Sequence, residues 1–200
     1  VEVTIAVATY GDEKWIGLAE SRAIPSALGQ GVPVLHHHGD TLAKARNELL
    51  ERCETPWIIH LDADDELDRK YVRHMAAGTA DVRAPSVRRF AKGRARRGTY
   101  MPKVYGHRHN CEGDCLPDGN WVTVGACARV DLLRDVGGWG DEPVYEDWAL
   151  WLRCWKAGAT FEAIPRAVYG YHWMPDSRNH ALPNRDEWHH KIHDSIMEAA

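Results

Sequence analysis

Trp57-Ile58-Ile59-His60-Leu61-Asp62-Ala63-Asp64-Asp65-Glu66-Leu67 is an apolar run that ends in a knot of carboxylates. Its first half, preceded by Pro56, is apolar enough for a central strand in a sheet covered on both faces. The four acidic side chains at Asp62, Asp64, Asp65 and Glu66 repel one another, so the arrangement is costly unless something cationic sits there. Continued strand periodicity puts Asp62 and Asp64 on one side, with Ala63 pointing away. Two carboxylates are then placed where a divalent ion bridging a pyrophosphate could be held. An isolated Asp-x-Asp is also compatible with an acidic turn that caps a helix beginning at about Asp68.

Upstream, residues 3–8 form a short β-branched run that breaks at Thr9-Tyr10-Gly11, a buried first strand opening into a loop. A helix follows from Asp12, with Trp15, Ile16, Ala19, Ala23 and Leu28 near helical spacing and Pro25 expected to bend or end it. Residues 32–35 read as a second strand. Asp40 or Thr41 then caps a helix running to about Arg52. Strand, helix, strand, helix, strand implies right-handed crossovers and a parallel sheet with ligands at the carboxyl ends of the strands. Thr9-Tyr10 and Asp62-Ala63-Asp64 lie at two such ends, so loops distant in sequence meet at one crevice.

Downstream the punctuation changes. Strands are expected at 82–90, 100–104, 121–128 and 160–164, with helices at 130–136, 146–157 and 183–200. The division expected is a nucleotide-binding half at 1–81, a second half at 82–182, and a C-terminal helix. The whole is one domain with chain enough for a core, since 200 residues are 44% hydrophobic and 27% charged. No apolar run approaches the roughly 20 residues of a membrane helix, so the chain reads as soluble and cytoplasmic. It begins at Val1 rather than Met, which leaves a leader open. The net charge of −4 is mild, but residues 82–108 carry nine Lys or Arg and no acid. That strip suits an acidic partner or is a solvated strand edge.

Five cysteines make a disulfide framework improbable on parity alone, and Cys53, Cys127 and Cys154 sit in apolar or helical contexts. His107, His109, Cys111 and Cys115 lie within nine residues of one another and are zinc-type ligands at cramped spacing. A structural zinc site, a local disulfide and an unligated loop all suit them. His36-His37-His38 ends the second strand. Alternation allows at most two of these rings in one site, and a structural or nucleotide-edge role is favoured.

Val3-Thr-Ile-Ala-Val-Ala-Thr-Tyr10, Lys44-Ala-Arg-Asn47, His60-Leu-Asp-Ala-Asp-Asp65, Val136-Gly-Gly-Trp139 and Glu146-Asp-Trp-Ala-Leu-Trp151 occur in this order. In order and approximate spacing they resemble family 2 glycosyltransferases of the GT-A fold. The resemblance implies an α/β domain: a Rossmann-like, mostly parallel sheet flanked by helices, with a smaller acceptor-side β/α portion. It also implies an inverting transfer from a nucleotide-diphosphate sugar, a UDP- or GDP-sugar first, assisted by Mn²⁺ or Mg²⁺. By that likeness Thr9 and Tyr10 contact base or ribose, and Arg46 and Asn47 lie beside the nucleotide. Asp64 would ligate the metal, with Asp62 on the ribose or on the metal through water, and Asp65 would position the donor sugar. Asp147 would be the general base, ionised at neutral pH because it opens a helix. His172 would be a late metal ligand, and Ser177, Arg178 and Asn179 would close over the diphosphate, with Arg178 as the cation.

The pattern departs in one place. Family members carry an acidic turn that binds the base, and here the chain passes from His36 through Gly39-Asp40 directly into the Ala-Arg-Asn helix, leaving Asp40 as the substitute. The acceptor is left open: an acidic polymer, a glycan, a protein or a nucleic acid. A non-catalytic nucleotide-sugar-binding module is the rival class. Among the tryptophans, Trp148 and Trp155 share a helical face with Leu152 and read as core, while Trp139 and Trp173 are expected to face an acceptor.

Overall fold

The computed structural model describes residues 2–91, 94–100, 116–117, 119–174 and 184–198. His107, His109, Cys111, Cys115, Ser177, Arg178 and Asn179 lie outside the described residues, as do positions 101–104 of an expected strand. The β-branched run Val3, Thr4, Ile5 and Val7 makes β1 (Val3–Tyr10), buried along seven of its eight positions. It is followed by a helical segment in three parts: α1 (Lys14–Leu18), a π-turn (Ala19–Ala23) and α2 (Ile24–Leu28). The expected break at Pro25 is replaced by this widening. Pro25 lacks an N–H and its ring crowds the carbonyl four residues back. One turn of i→i−5 bonding, with Ile24 N–H on the Ala19 carbonyl, absorbs the misfit and lets the helix continue.

β2 (Val34–Gly39), α3 (Leu42–Glu51) and β3 (Trp57–Asp62) complete the first wound unit. Thr41 caps α3, its hydroxyl accepting from Lys44 N–H at 3.2 Å. β1 lies parallel to both β2 and β3, so the expected parallel core is present. Then come β4 (Glu66–Leu67), α4 (Tyr71–Met75), β5 (Val82–Ala91), β6 (Arg94–Tyr100), β7 (Cys127–Arg129), α5 (Val130–Asp135), α6 (Glu146–Lys156), β8 (Phe161–Trp173) and α7 (Arg185–Met197). The strands form a mixed sheet in the order β2-β1-β3-β7-β5-β8-β4, with β6 paired to β5. β7 is antiparallel to β3 and β5, β6 is antiparallel to β5 and β4 to β8, and β5 and β8 run parallel.

Two expectations shift here. Residues 121–126 are not strand; only Cys127–Arg129 pairs. A Cβ on Gly125 would come 2.2 Å from the Tyr169 ring, and Tyr71 donates to the Gly125 carbonyl at 2.6 Å, so this backbone is used for close packing. The last strand is far longer than the expected 160–164. β8 runs thirteen residues, its register against β5 slipping between Pro85 and Ser86 so that Pro165, Arg166 and Ala167 are bulged out. This extension carries Tyr171 to the cleft and brings the Tyr169 hydroxyl and the His172 N–H to Asp65.

The core lies on both faces of β1 and β3 and under α6, where Trp148, Trp151 and Leu152 are fully buried. Among the described residues no helix is long and apolar enough to cross a membrane. Cys53, Cys127 and Cys154 are buried free thiols, as expected.

Candidate active site

The carboxyl ends of β1 and β3 and the first turn of α6 surround a cleft with roughly 690 Å³ of empty space, open to solvent. Ala8, Thr9 and Tyr10 line it from β1, with Trp15 and Leu42 from the helices beside them. Asp62, Ala63, Asp64 and Asp65 line it from the end of β3, Arg46 from α3, Glu146 from α6, and Tyr171 from β8. Strand periodicity does not carry through the acidic knot. The strand stops at Asp62 and the chain turns, with Asp65 N–H on the Asp62 carbonyl at 3.1 Å, so Ala63 faces the cleft together with its neighbours.

Arg46 organises this wall. It is neither a solvated cation nor free to grip a nucleotide. At 1% exposure its guanidinium donates to Asp62 Oδ1 at 2.7 Å and to Glu146 Oε1 at 2.9 Å, and lies 4.1 Å from the centre of the Trp139 ring. Burial opposes the charge on Arg46, but Asp62 and Glu146 more than offset it, so its proton is held more tightly than in water. Two acidic motifs distant in sequence thus share one cation.

Asn47, expected at the nucleotide, is committed elsewhere. Its amide donates to the Trp139 carbonyl and its Oδ1 accepts the Trp139 N–H, both at 2.8 Å. A Cβ on Gly138, which has φ +68°, would lie 2.4 Å from that Oδ1, which explains the glycine at this contact. Trp139 is correspondingly 3% exposed, with its indole N–H on His60 Nε2 at 3.2 Å, and does not face an acceptor. His60 is held neutral, burial and then Arg46 pulling its pKa well down.

Asp65 points inward and is 3% exposed. It accepts from the Tyr169 hydroxyl at 2.8 Å and from the His172 N–H at 2.7 Å, pinning β8 to the turn. Burial, then Asp64 and Asp62, pushes its pKa well above the usual carboxylate range. His172 is displaced from its expected role. Its ring stacks on Phe90 with centroids 4.5 Å apart, and Nε2 lies 3.6 Å from Glu66 rather than on the cleft lining. Thr9 lines the cleft, but its hydroxyl is shared by His36 Nε2 and His38 Nδ1, each at 3.1 Å. The two alternate histidines therefore fall together, and His37 faces Glu48 at 3.1 Å instead. Asp40 is exposed and pairs with Lys44.

Asp147 opens α6 beside Glu146. Its Oδ1 accepts from Asn120 Nδ2 at 3.0 Å and from Trp148 N–H at 2.8 Å. Burial and then the charge of Glu146 push its pKa to about 7, against these donors and Arg46. The helix end is expected from sequence to keep it ionised; desolvation outweighs that effect and moves its titration up toward neutral pH.

The donor chemistry suits a divalent ion. Asp62 and Asp64 bring hard carboxylate ligands to the cleft lining, and Asp65 lies buried beside them. Among the described residues no three His, Cys, Asp or Glu side chains converge as a cage. An ion here would be held by one or two carboxylates, with ligand oxygens completing its shell.

Sequence reasoning missed Arg22, whose Nη1 donates to the Asp64 carbonyl, and Tyr169, whose hydroxyl ties Asp62 N–H to Asp65. Tyr169 gave no signal, because its contact depends on a strand extension past Pro165. Arg22 did give one, a polar stripe with Ser26 and Gln30 beside the buried alanines at 19, 23 and 27.

A model of the glycosyl transferase family group 2 matches residues 57–182. A search of curated proteins gave no match. Among solved structures the chain is similar to TarS of S. aureus, residues 1–349, in complex with UDP-GlcNAc, at 13% identity and TM-score 0.68, over 98% of this chain and 65% of that one. For the same protein in complex with UDP the values are 14%, 0.61, 98% and 71%. The chain thus spans about 65% of the length of the first of these structures. At such identities the likeness shows the fold, which is the expected GT-A architecture. The family match runs from the first residue of β3 through all of β8, well over half of the chain, so the protein belongs to glycosyl transferase family group 2.

Proposed function

We propose that the protein transfers a sugar from a nucleotide-diphosphate sugar to an acceptor hydroxyl, with inversion at the anomeric carbon. The observation that carries this reading is the convergence of Asp62, Asp64 and Glu146 on one cleft at the strand ends, with Asp147 beside it. The TarS structures hold UDP-GlcNAc and UDP, which makes a UDP-sugar the first donor to try. Tyr10 and Trp15 offer aromatic surface to the base. Asp64, with Asp62 beside it, would hold Mn²⁺ or Mg²⁺, which when bound supplies positive charge to the diphosphate leaving group.

Asp147 removes the acceptor hydroxyl proton as that oxygen attacks. The new bond forms from the acceptor oxygen to the anomeric carbon, and the bond from that carbon to the diphosphate oxygen breaks, its electron pair leaving with the nucleotide. A pKa near 7 makes Asp147 a stronger base than an ordinary carboxylate while keeping a useful fraction ionised at neutral pH. Arg46 orients Asp62 and Glu146 and is a binding-wall residue without a chemical step.

The acceptor we propose carries negative charge. Arg89 on β5 is exposed, in register with the cleft-lining Tyr171, and its charge acts on the Tyr171 phenol. Arg88 stands beside Arg89 on β5, and Arg94, Arg96 and Arg97 lie on the paired strand β6.

The test is calorimetric titration of UDP-, GDP-, CMP- and dTDP-sugars with and without Mn²⁺, followed by donor turnover. UDP-sugar binding that requires the metal is the expected result; no binding by any donor would overturn the reading.

A further inference from the structure

The polar side chains on one stripe of the first helical segment form a ladder against the chain that follows the acidic turn. Arg22 donates to the Asp64 carbonyl. One helical turn on, Ser26 Oγ accepts Leu67 N–H at 3.1 Å. After another turn Gln30 donates to the Asp68 carbonyl at 3.0 Å and accepts Val72 N–H at 3.2 Å. The i, i+4, i+8 spacing puts the three residues on one face. The first rung alone reaches the turn that lines the cleft; the other two hold β4 and the start of α4.

Other contacts also hold the turn: Arg46 grips the Asp62 carboxylate, and a main-chain bond runs from Asp65 N–H to the Asp62 carbonyl. From the β8 side, Tyr169 and the His172 N–H hold the Asp62 amide and the Asp65 carboxylate. The main-chain bond holds the Asp64–Asp65 peptide plane by its N–H, and Arg22 holds the same plane by its carbonyl. The direction of the Asp64 carbonyl is set by rotation about the Asp64 backbone, so a guanidinium fixed on that oxygen restrains the residue whose carboxylate faces the cleft. Arg22 also brings positive charge under the acidic knot, and it acts on the His172 ring as well. The π-turn is the local device. Arg22 lies within Ala19–Ala23, and single π-turns inside helices are frequent at functional sites.

We propose that Arg22 is a positioning residue of the donor site: held on the Asp64 carbonyl, it fixes the Asp62–Asp65 turn in the form that presents the Asp64 carboxylate to a nucleoside diphosphate and its divalent ion. This rests on the donor reading above. Arg22 acts through Asp64 and makes no contact with the reacting atoms.

The experiment compares wild type, Arg22→Ala, Arg22→Lys and Gln30→Ala in the full chain. Three quantities are read: the Kd for UDP with Mn²⁺ by calorimetry, hydrogen exchange of the 61–67 peptide by mass spectrometry, and the thermal midpoint. Arg22→Ala is expected to weaken UDP–Mn²⁺ binding about tenfold or more, the loss of one charge-assisted hydrogen bond, and to speed exchange in 61–67. Arg22→Lys recovers part of the affinity. Gln30→Ala lowers the thermal midpoint and leaves the Kd unchanged. The proposal is overturned if Arg22→Ala binds UDP–Mn²⁺ as wild type does, if its 61–67 exchange is unaltered, or if Gln30→Ala weakens binding equally. Should wild type bind no nucleoside diphosphate, the donor reading fails, while the exchange comparison still decides whether Arg22 holds the turn.

Discussion

The turn after β3 and the first turn of α6 are built on the same plan with different restraints. Each has one carboxylate tied to Arg46, Asp62 in the first and Glu146 in the second. Beside it stands a second carboxylate assigned to chemistry, Asp64 and Asp147. At the β3 turn the restraint acts on the main chain, through Arg22 on the Asp64 carbonyl. At α6 it acts on the carboxylate, through Asn120 and Trp148 N–H on Asp147. A restrained backbone fixes where a carboxylate is presented, whereas hydrogen bonds and burial tune a carboxylate as a proton acceptor. The difference matches the two roles proposed.

Removing the functional member of each pair should separate the roles. Asp64→Ala should lower turnover about 10³-fold and abolish metal-dependent UDP binding with the thermal midpoint kept. Asp147→Asn should lower kcat by about 10²–10⁴-fold while UDP binds as in wild type. Equal loss of UDP binding in both variants would erase the distinction. Arg46→Met breaks both halves at once. It leaves the largely buried Glu146 and the half-buried Asp62 without their shared cation, and urea unfolding should show a loss of about 3 kcal/mol.

The pH dependence sharpens the comparison further. Asp147 must be ionised to accept a proton, and burial raises its pKa to about 7, so kcat/KM should climb with pH up to about 7 and level off above it. A profile already flat from pH 5 to 8 would remove Asp147 as the base. At the small end, Lys44→Ala removes an exposed pair with Asp40 outside both turns, and its stability change should stay within about 0.5 kcal/mol.

Much of the first half was legible because its signals are local. β1, α3 with its Thr41 cap, and β3 follow from apolar runs and a capping residue, and the parallel arrangement from their alternation. The acidic knot was legible as a site, though its geometry was not, since strand alternation gives no warning that the chain turns at Asp62. Roles resting on distant partners were hidden. Asn47 is claimed by Trp139, Arg46 by Glu146, and Asp65 by Tyr169 on a strand that sequence ends at Ile164. Pro165 resembles a strand terminator, and only the register slip against β5 lets β8 pass it. His172 fell to the same cause, since the strand extension carries its ring onto Phe90.

The central claim is that the two turns divide donor binding from proton transfer. It is tested most directly by calorimetric titration of UDP with Mn²⁺ into wild type, Asp64→Ala and Asp147→Asn under identical conditions. The account predicts binding to wild type and Asp147→Asn with matching affinity and none to Asp64→Ala; undiminished binding to Asp64→Ala would contradict it.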